Sequence, residues 1–101
     1  MQENALFVRV ALLSLAGGCI EGVVLSWAIE RQKTAGPGGW WSHTLSEWKE
    51  DLSLTRRQIE RSRQRLRDLG VLEEVRRGIP ARLFYRVDTD RVDDLLGDVN
   101  G

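Results

Sequence analysis

The chain has 101 residues, with 15 Lys+Arg balanced by 15 Asp+Glu, which is the size of one domain built on one modest core over residues 1–101. At 42% hydrophobic and 30% charged it belongs with ordinary soluble globular chains and not with disordered ones. Its one Cys and one His exclude an internal disulfide, fall short of the roughly four ligands of a structural zinc, and leave no second His for a catalytic triad, so no cofactor and no enzyme activity are expected.

Leu6 to Ala16 is apolar apart from Arg9 and Ser14, and it runs into Gly17-Gly18-Cys19. Small residues before a Cys are also the ending of a bacterial lipoprotein signal. Here Glu3 spoils the basic leader, Ala16 stands where that pattern wants Leu, and Gly17, Gly18 and Glu21 interrupt any membrane-length run. The expectation is a cytoplasmic protein with no membrane partner and a reduced, buried Cys19. Residues 6–10 alternate like a short extended start, and 11–16 suit a helical turn or two. A first long helix is expected over 20–33. Ile20, Val23, Val24, Trp27 and Ile29 form its buried face, while Gln32 and the charged residues collect at its ends and outer side. Ala35 to Gly39 is a glycine-rich loop.

Trp40 and Trp41 precede Thr44-Leu45-Ser46-Glu47, a capping box, in which the Thr hydroxyl accepts from the Glu amide and the Glu carboxylate reaches back. It opens a short helix over 45–52, with Leu45, Trp48 and Leu52 inward. Leu52-Ser53-Leu54 is a brief turn. Thr55-Arg56-Arg57-Gln58 is a second capping box, and it opens a helix over 56–69 that ends at Gly70, where a left-handed cap is wanted. Two closely spaced helices, the second capped at both ends, form a helix-turn-helix pattern. A hairpin follows over 71–87, its strands joined by Arg76-Arg77-Gly78-Ile79-Pro80, and then a short acidic helix over 88–96 capped by Asp88 or Asp90.

The helix over 56–69 has two faces. Ile59, Ser62, Leu66 and Leu69 fall on one side, while Arg57, Glu60, Arg61 and Gln64 fall on the other, edged by Arg56, Gln58 and Arg65. Arg63 and Arg67 lie nearer the core edge and are expected to pair with the acidic flanks. Arg and Gln carry the forks that match guanine and adenine edges in the major groove. The zero net charge is a cancellation. Thr55 to Val87 holds ten Arg against four acids, a net +6, and the remainder holds five basic and eleven acidic residues, a net −6. Such segregation points to an electrostatic partner, here double-stranded DNA. The expected DNA-binding residues are Thr55, Arg56, Arg57, Gln58, Arg61, Gln64 and Arg65 on the helix, with Arg76, Arg77 and Arg82 on the hairpin. The acidic flanks are expected to keep nonspecific binding weak at physiological salt. Trp27, Trp41 and Trp48 are expected in the core, Trp40 at a dimer contact, and His43 in an exposed turn.

Helix, helix, recognition helix and basic hairpin, over roughly Ile20 to Val87, resembles a winged helix-turn-helix, a mainly α fold with a small β-hairpin wing. The runs Trp41-Ser42-His43-Thr44-Leu45-Ser46-Glu47-Trp48, Leu54-Thr55-Arg56-Arg57-Gln58-Ile59, Leu66-Arg67-Asp68-Leu69-Gly70-Val71-Leu72-Glu73 and Gly78-Ile79-Pro80-Ala81-Arg82-Leu83-Phe84-Tyr85-Arg86-Val87 are similar to the winged-helix domains of phage and mobile-element replication-initiation proteins. The helix-turn-helix core is shared with small bacterial transcription regulators. The resemblance implies sequence-specific duplex binding in replication initiation or transcription regulation. It also implies a parent protein with a partner-recruiting C-terminal region; a chain ending at Gly101 is then a domain of such a protein or a stand-alone small protein. A homodimer and a replication or regulatory protein partner are further expectations. The competing reading is a winged-helix protein-interaction module, which would carry apolar residues on the outer helix face where this chain has none.

Overall fold

The computed structural model describes residues 18–100. The extended start and helical turn expected over 6–16, and most of the apolar run weighed as an export signal, lie outside the described residues. The elements are α1 (Cys19–Ala35), β1 (Trp41–Ser42), α2 (Leu45–Leu52), α3 (Arg56–Asp68), β2 (Leu72–Arg77), β3 (Arg82–Val87) and α4 (Thr89–Asn100). The sheet is antiparallel with strand order β1-β3-β2.

In α1 the buried residues are Gly22, Val24, Leu25, Ala28 and Gln32. This corrects the expected face, because Val23 is 46% exposed and Cys19 is exposed as well. The cause is that apolar residues surround this helix almost completely, so that their spacing does not single out one side. Gln32 is the larger correction. Expected on the outer side, it is buried, and its amide makes four hydrogen bonds. Its Nε2 donates to the Gly36 and Gly39 carbonyls at 2.8 and 2.7 Å. Its Oε1 accepts from Trp41 Nε1 at 2.9 Å and from the Val87 N–H at 2.8 Å. One side chain thus joins the end of α1, the glycine loop, β1 and the end of β3.

Both capping boxes form. Glu47 N–H donates to Thr44 Oγ1 at 3.1 Å and Thr44 N–H to Glu47 Oε1 at 2.9 Å. The corresponding distances for Thr55 and Gln58 are 3.2 and 2.9 Å. Between α2 and α3 the chain turns at Ser53, which takes a left-handed conformation. At the other end of α3, Gly70 has φ +80°. There Gly70 N–H reaches the Arg67 carbonyl and Val71 N–H the Leu66 carbonyl, the bonding pattern of a Schellman cap, which needs a residue free of a Cβ at that conformation. Asp88 caps α4, its Oδ1 accepting from Arg91 N–H at 3.0 Å.

The sheet packs against the helices through alternate residues. Trp41, Tyr85 and Glu74 lie side by side across the strands, as do Leu72 and Val87. The core comprises Val24, Leu25, Ala28, Trp41, Trp48, Ile59, Leu66, Val71, Leu72, Tyr85, Val87 and Val92. Trp41 and Trp48 are buried, and Trp27 packs against them with ring centres 5.7 and 4.8 Å away. Burial pushes the Tyr85 phenol above its usual pKa, the nearby Arg63 partly opposing it. β1 was not expected: two residues carry no visible alternation, and they form a strand because Trp41 and Ser42 lie beside Tyr85 and Phe84 of β3.

Candidate nucleic-acid interface

With Ile59, Ser62 and Leu66 buried, α3 presents Arg56, Arg57, Glu60, Arg61, Gln64 and Arg65 to solvent. Arg56 Nε lies 3.0 Å from Glu60 Oε1, one turn further on. Arg57 and Arg61 border the same shallow depression, and neither has an acidic partner among the described residues. The other expected residues on the helix are engaged to different degrees. The Thr55 hydroxyl accepts from Gln58 N–H, which leaves its proton for an outside acceptor, while the Gln58 carbonyl oxygen is used by the cap. Gln64 donates to Asp68 Oδ1 at 3.0 Å and accepts from Arg67. Arg65 Nε is 3.6 Å from Glu21 Oε1, so this arginine reaches toward α1.

Arg63 and Arg67 pair inside the basic stretch and not with the acidic flanks, contrary to expectation. Arg63 Nε is 2.8 Å from Glu74 Oε1, and Arg67 donates to the other oxygen of the same carboxylate, whose side chain is 8% exposed. A carboxylate on β2 thus holds two successive turns of α3 against the sheet. The flanks were the wrong partner because folding the hairpin back brings Glu74 closer to α3 than any flanking acid. Arg86 is also held: its guanidinium meets Glu73 at 2.8 and 3.1 Å and lies 4.3 Å from the Trp40 ring centre. The hydrogen bond to Glu73 raises its pKa further above the usual range.

Strand alternation divides the hairpin arginines between two sides. Arg76, opposite Leu83, points the same way as Glu74 and Tyr85. It lines a cleft of about 370 Å³ with His43, Thr44, Arg63 and Arg82, between the hairpin and the start of α2. Arg77 points outward, 5.9 Å from the Trp40 ring centre. It lines a cleft of about 500 Å³ with Trp40, Val75, Ile79, Pro80 and Phe84. Arg82 borders both clefts. Sequence reasoning grouped the three arginines as one tip, and it missed Thr44 and His43 beside two of them. The Thr44 cap was visible locally, but nothing local shows that the hairpin folds alongside it. Hydrogen bonds from the Thr44 backbone and hydroxyl hold the Glu47 carboxyl below its ordinary pKa, with His43 and Arg82 adding to the effect.

His43 is not the exposed turn residue expected. Its side chain is 9% exposed, with Nε2 2.8 Å from Asp51 Oδ2 and the ring 4.5 Å from Trp27 and 5.1 Å from Trp48. Among the described residues no cluster of His, Cys, Asp or Glu is placed to hold a metal ion, and no helix is long and apolar enough to cross a membrane.

No protein-family model matches the chain, and no curated protein is significantly similar to it. Among solved structures, the fold matches that of a protein from Methanosarcina mazei Go1 described as a possible transcriptional regulator, with a TM-score of 0.67 at 11% identity over 91% of this chain and 75% of that one. The fold is a winged helix-turn-helix. α2 and α3 are the helix-turn-helix, and β2 and β3 are the wing, with β1 closing the other side of the sheet.

Proposed function

We propose that the chain is a sequence-specific double-stranded DNA-binding module of the bacterial cytoplasm, acting by recognition without a catalytic step or cofactor. The observation that carries this reading is the outer face of α3. Its two central arginines, Arg57 and Arg61, have no acidic partner among the described residues, and Ile59, the apolar residue between them in the chain, is buried on the opposite side of the helix. In this reading α3 enters the major groove, where Arg57, Arg61 and Gln64 meet base edges. Thr55, Arg56, Gln58 and Arg65 lie toward phosphates at the helix edge and N-terminus. Arg76, Arg77 and Arg82 follow the backbone and the adjoining minor groove. Control of transcription takes first place because of the fold shared with a possible regulator. Replication initiation on a phage, plasmid or other mobile element is the second reading, favoured by the Trp41 to Trp48 and Gly78 to Val87 runs.

Selection from random duplexes tests the proposal, and the chain should enrich one motif at moderate salt. A two-fold symmetric motif would identify a homodimer. Arg57→Ala and Arg61→Ala should each cost about 1 to 3 kcal/mol in affinity and relax preference at one base position. Wild-type binding and preference in both variants would overturn the assignment, and failure to enrich any motif would favour the protein-interaction module.

A further inference from the structure

We infer that the wing tip is an apolar wedge: Ile79 enters the minor groove beside the site read by α3 and partly unstacks one base step, leaving the bound duplex bent. This rests on the duplex-binding reading above.

Ile79 is 103% exposed, whereas the only other large hydrophobic residue that is exposed among those described, Val23, is 46% exposed. The turn does not require an apolar residue at that position. Gly78, at φ +95°, and Pro80 supply its conformation, so an isoleucine there forgoes burial without a local gain. The tip is also thin. Gly78 and Ala81 stand on either side of Ile79-Pro80, which leaves these two as its projecting side chains. Directly behind, Arg77 and Arg82 are paired across the hairpin. Between Val75 and Val87 there is no acidic residue. A narrow apolar point with one guanidinium on each strand matches a groove with a phosphate wall on each side. Ile and Pro are among the side chains that enter base steps from the minor groove. The apolar surface continues from Ile79 and Pro80 to Val75, Phe84 and Trp40, where the sugars of a widened groove would lie. Arg76 borders the cleft beside the start of α2, Arg77 borders the cleft on the other side of the hairpin and Arg82 borders both, so guanidiniums flank the tip on both sides, as two phosphate walls require. This favours DNA over an acidic protein as the occupant.

The test uses duplexes carrying the selected site, with 2-aminopurine placed at successive flanking positions and a fluorophore pair on the ends. The wild-type chain should raise 2-aminopurine fluorescence at one step and bring the ends closer. Ile79→Ala should fold like the wild type by circular dichroism, bind about ten-fold more weakly and abolish both signals. Ile79→Leu should restore them. Wild-type binding with quenched 2-aminopurine and straight DNA would overturn the wedge and leave the duplex-binding reading in place. Absence of duplex binding by the wild-type chain would overturn both. An Ile79→Ala variant that bends DNA as the wild type does would also overturn the wedge, since the bend would then not come from that side chain.

Discussion

Gln32 shows how much one residue contributes to placing the interface. Its four hydrogen bonds satisfy the Trp41 indole N–H and the Val87 amide inside the core, and they fix β1 and β3 against the end of α1. Buried donors left without partners cost about 1 to 3 kcal/mol each. Gln32→Leu, which keeps the volume and removes the amide, is therefore expected to lower stability by about 2 to 4 kcal/mol, measured by urea denaturation followed through tryptophan fluorescence. Nothing around Gln32 in the sequence announces this. Val87 is 55 residues away, and a Gln between Arg31 and Lys33 reads as the polar edge of a helix. The residues of the candidate interface differ in the same way. The exposure of Arg57 and Arg61 was legible from helical period, because each position on a helix fixes its own direction. That Glu74 would neutralise Arg63 and Arg67 was not, because it depends on how the hairpin folds back.

At the scale of the element, the helices that form the helix-turn-helix were the most legible part of the fold. Each capping box joins residues three apart, so its geometry is complete within four residues of sequence. The pH response of α2 follows from this. Hydrogen bonds from Thr44 lower the Glu47 pKa in the folded protein relative to the unfolded chain. The cap's contribution is therefore complete above the unfolded carboxylate value and is lost as pH falls through the lower folded value. Thermal unfolding followed from neutral to acidic pH should show a smaller loss of Tm in Glu47→Gln than in the wild type across that window, since the amide retains an acceptor without titrating. Equal losses would mean that the carboxylate is not titrating against the cap. β1 stands at the opposite extreme of legibility: two residues have no period of their own, and Trp41-Ser42 becomes a strand only where β3 supplies a partner.

Over the whole molecule, the balance of charge acquires a direction. Four arginines of the +6 stretch are engaged with Glu60, Glu73 or Glu74, and Arg65 lies near Glu21. The guanidiniums without acidic partners among the described residues are those of Arg57 and Arg61 on α3 and Arg76, Arg77 and Arg82 on the wing. Acidic side chains meanwhile gather on α2, at Glu47, Glu50 and Asp51, and on α4, at Asp90, Asp93 and Asp94. Binding to the selected duplex should therefore fall with salt in proportion to the phosphates met, and Arg76→Ala should lower that slope by about one without changing the preferred sequence. Arg61→Ala should change the preference instead. Titrations at several salt concentrations separate the two, and an unchanged slope in Arg76→Ala would remove that arginine from the backbone contacts.

The sequence by itself determined the order of helices and hairpin, both capping boxes, the left-handed stop at Gly70, the two faces of α3 and the segregation behind a net charge of zero. All of these depend on spacings within a few residues or on counts. Only the tertiary structure decided which side of α1 is buried, that Gln32 joins four segments, that β1 completes the sheet, which arginines are neutralised and which wing arginine faces which cleft. Those outcomes rest on contacts between residues distant in the chain, where burial and the pairing of charges are settled together as the hairpin packs on the helices.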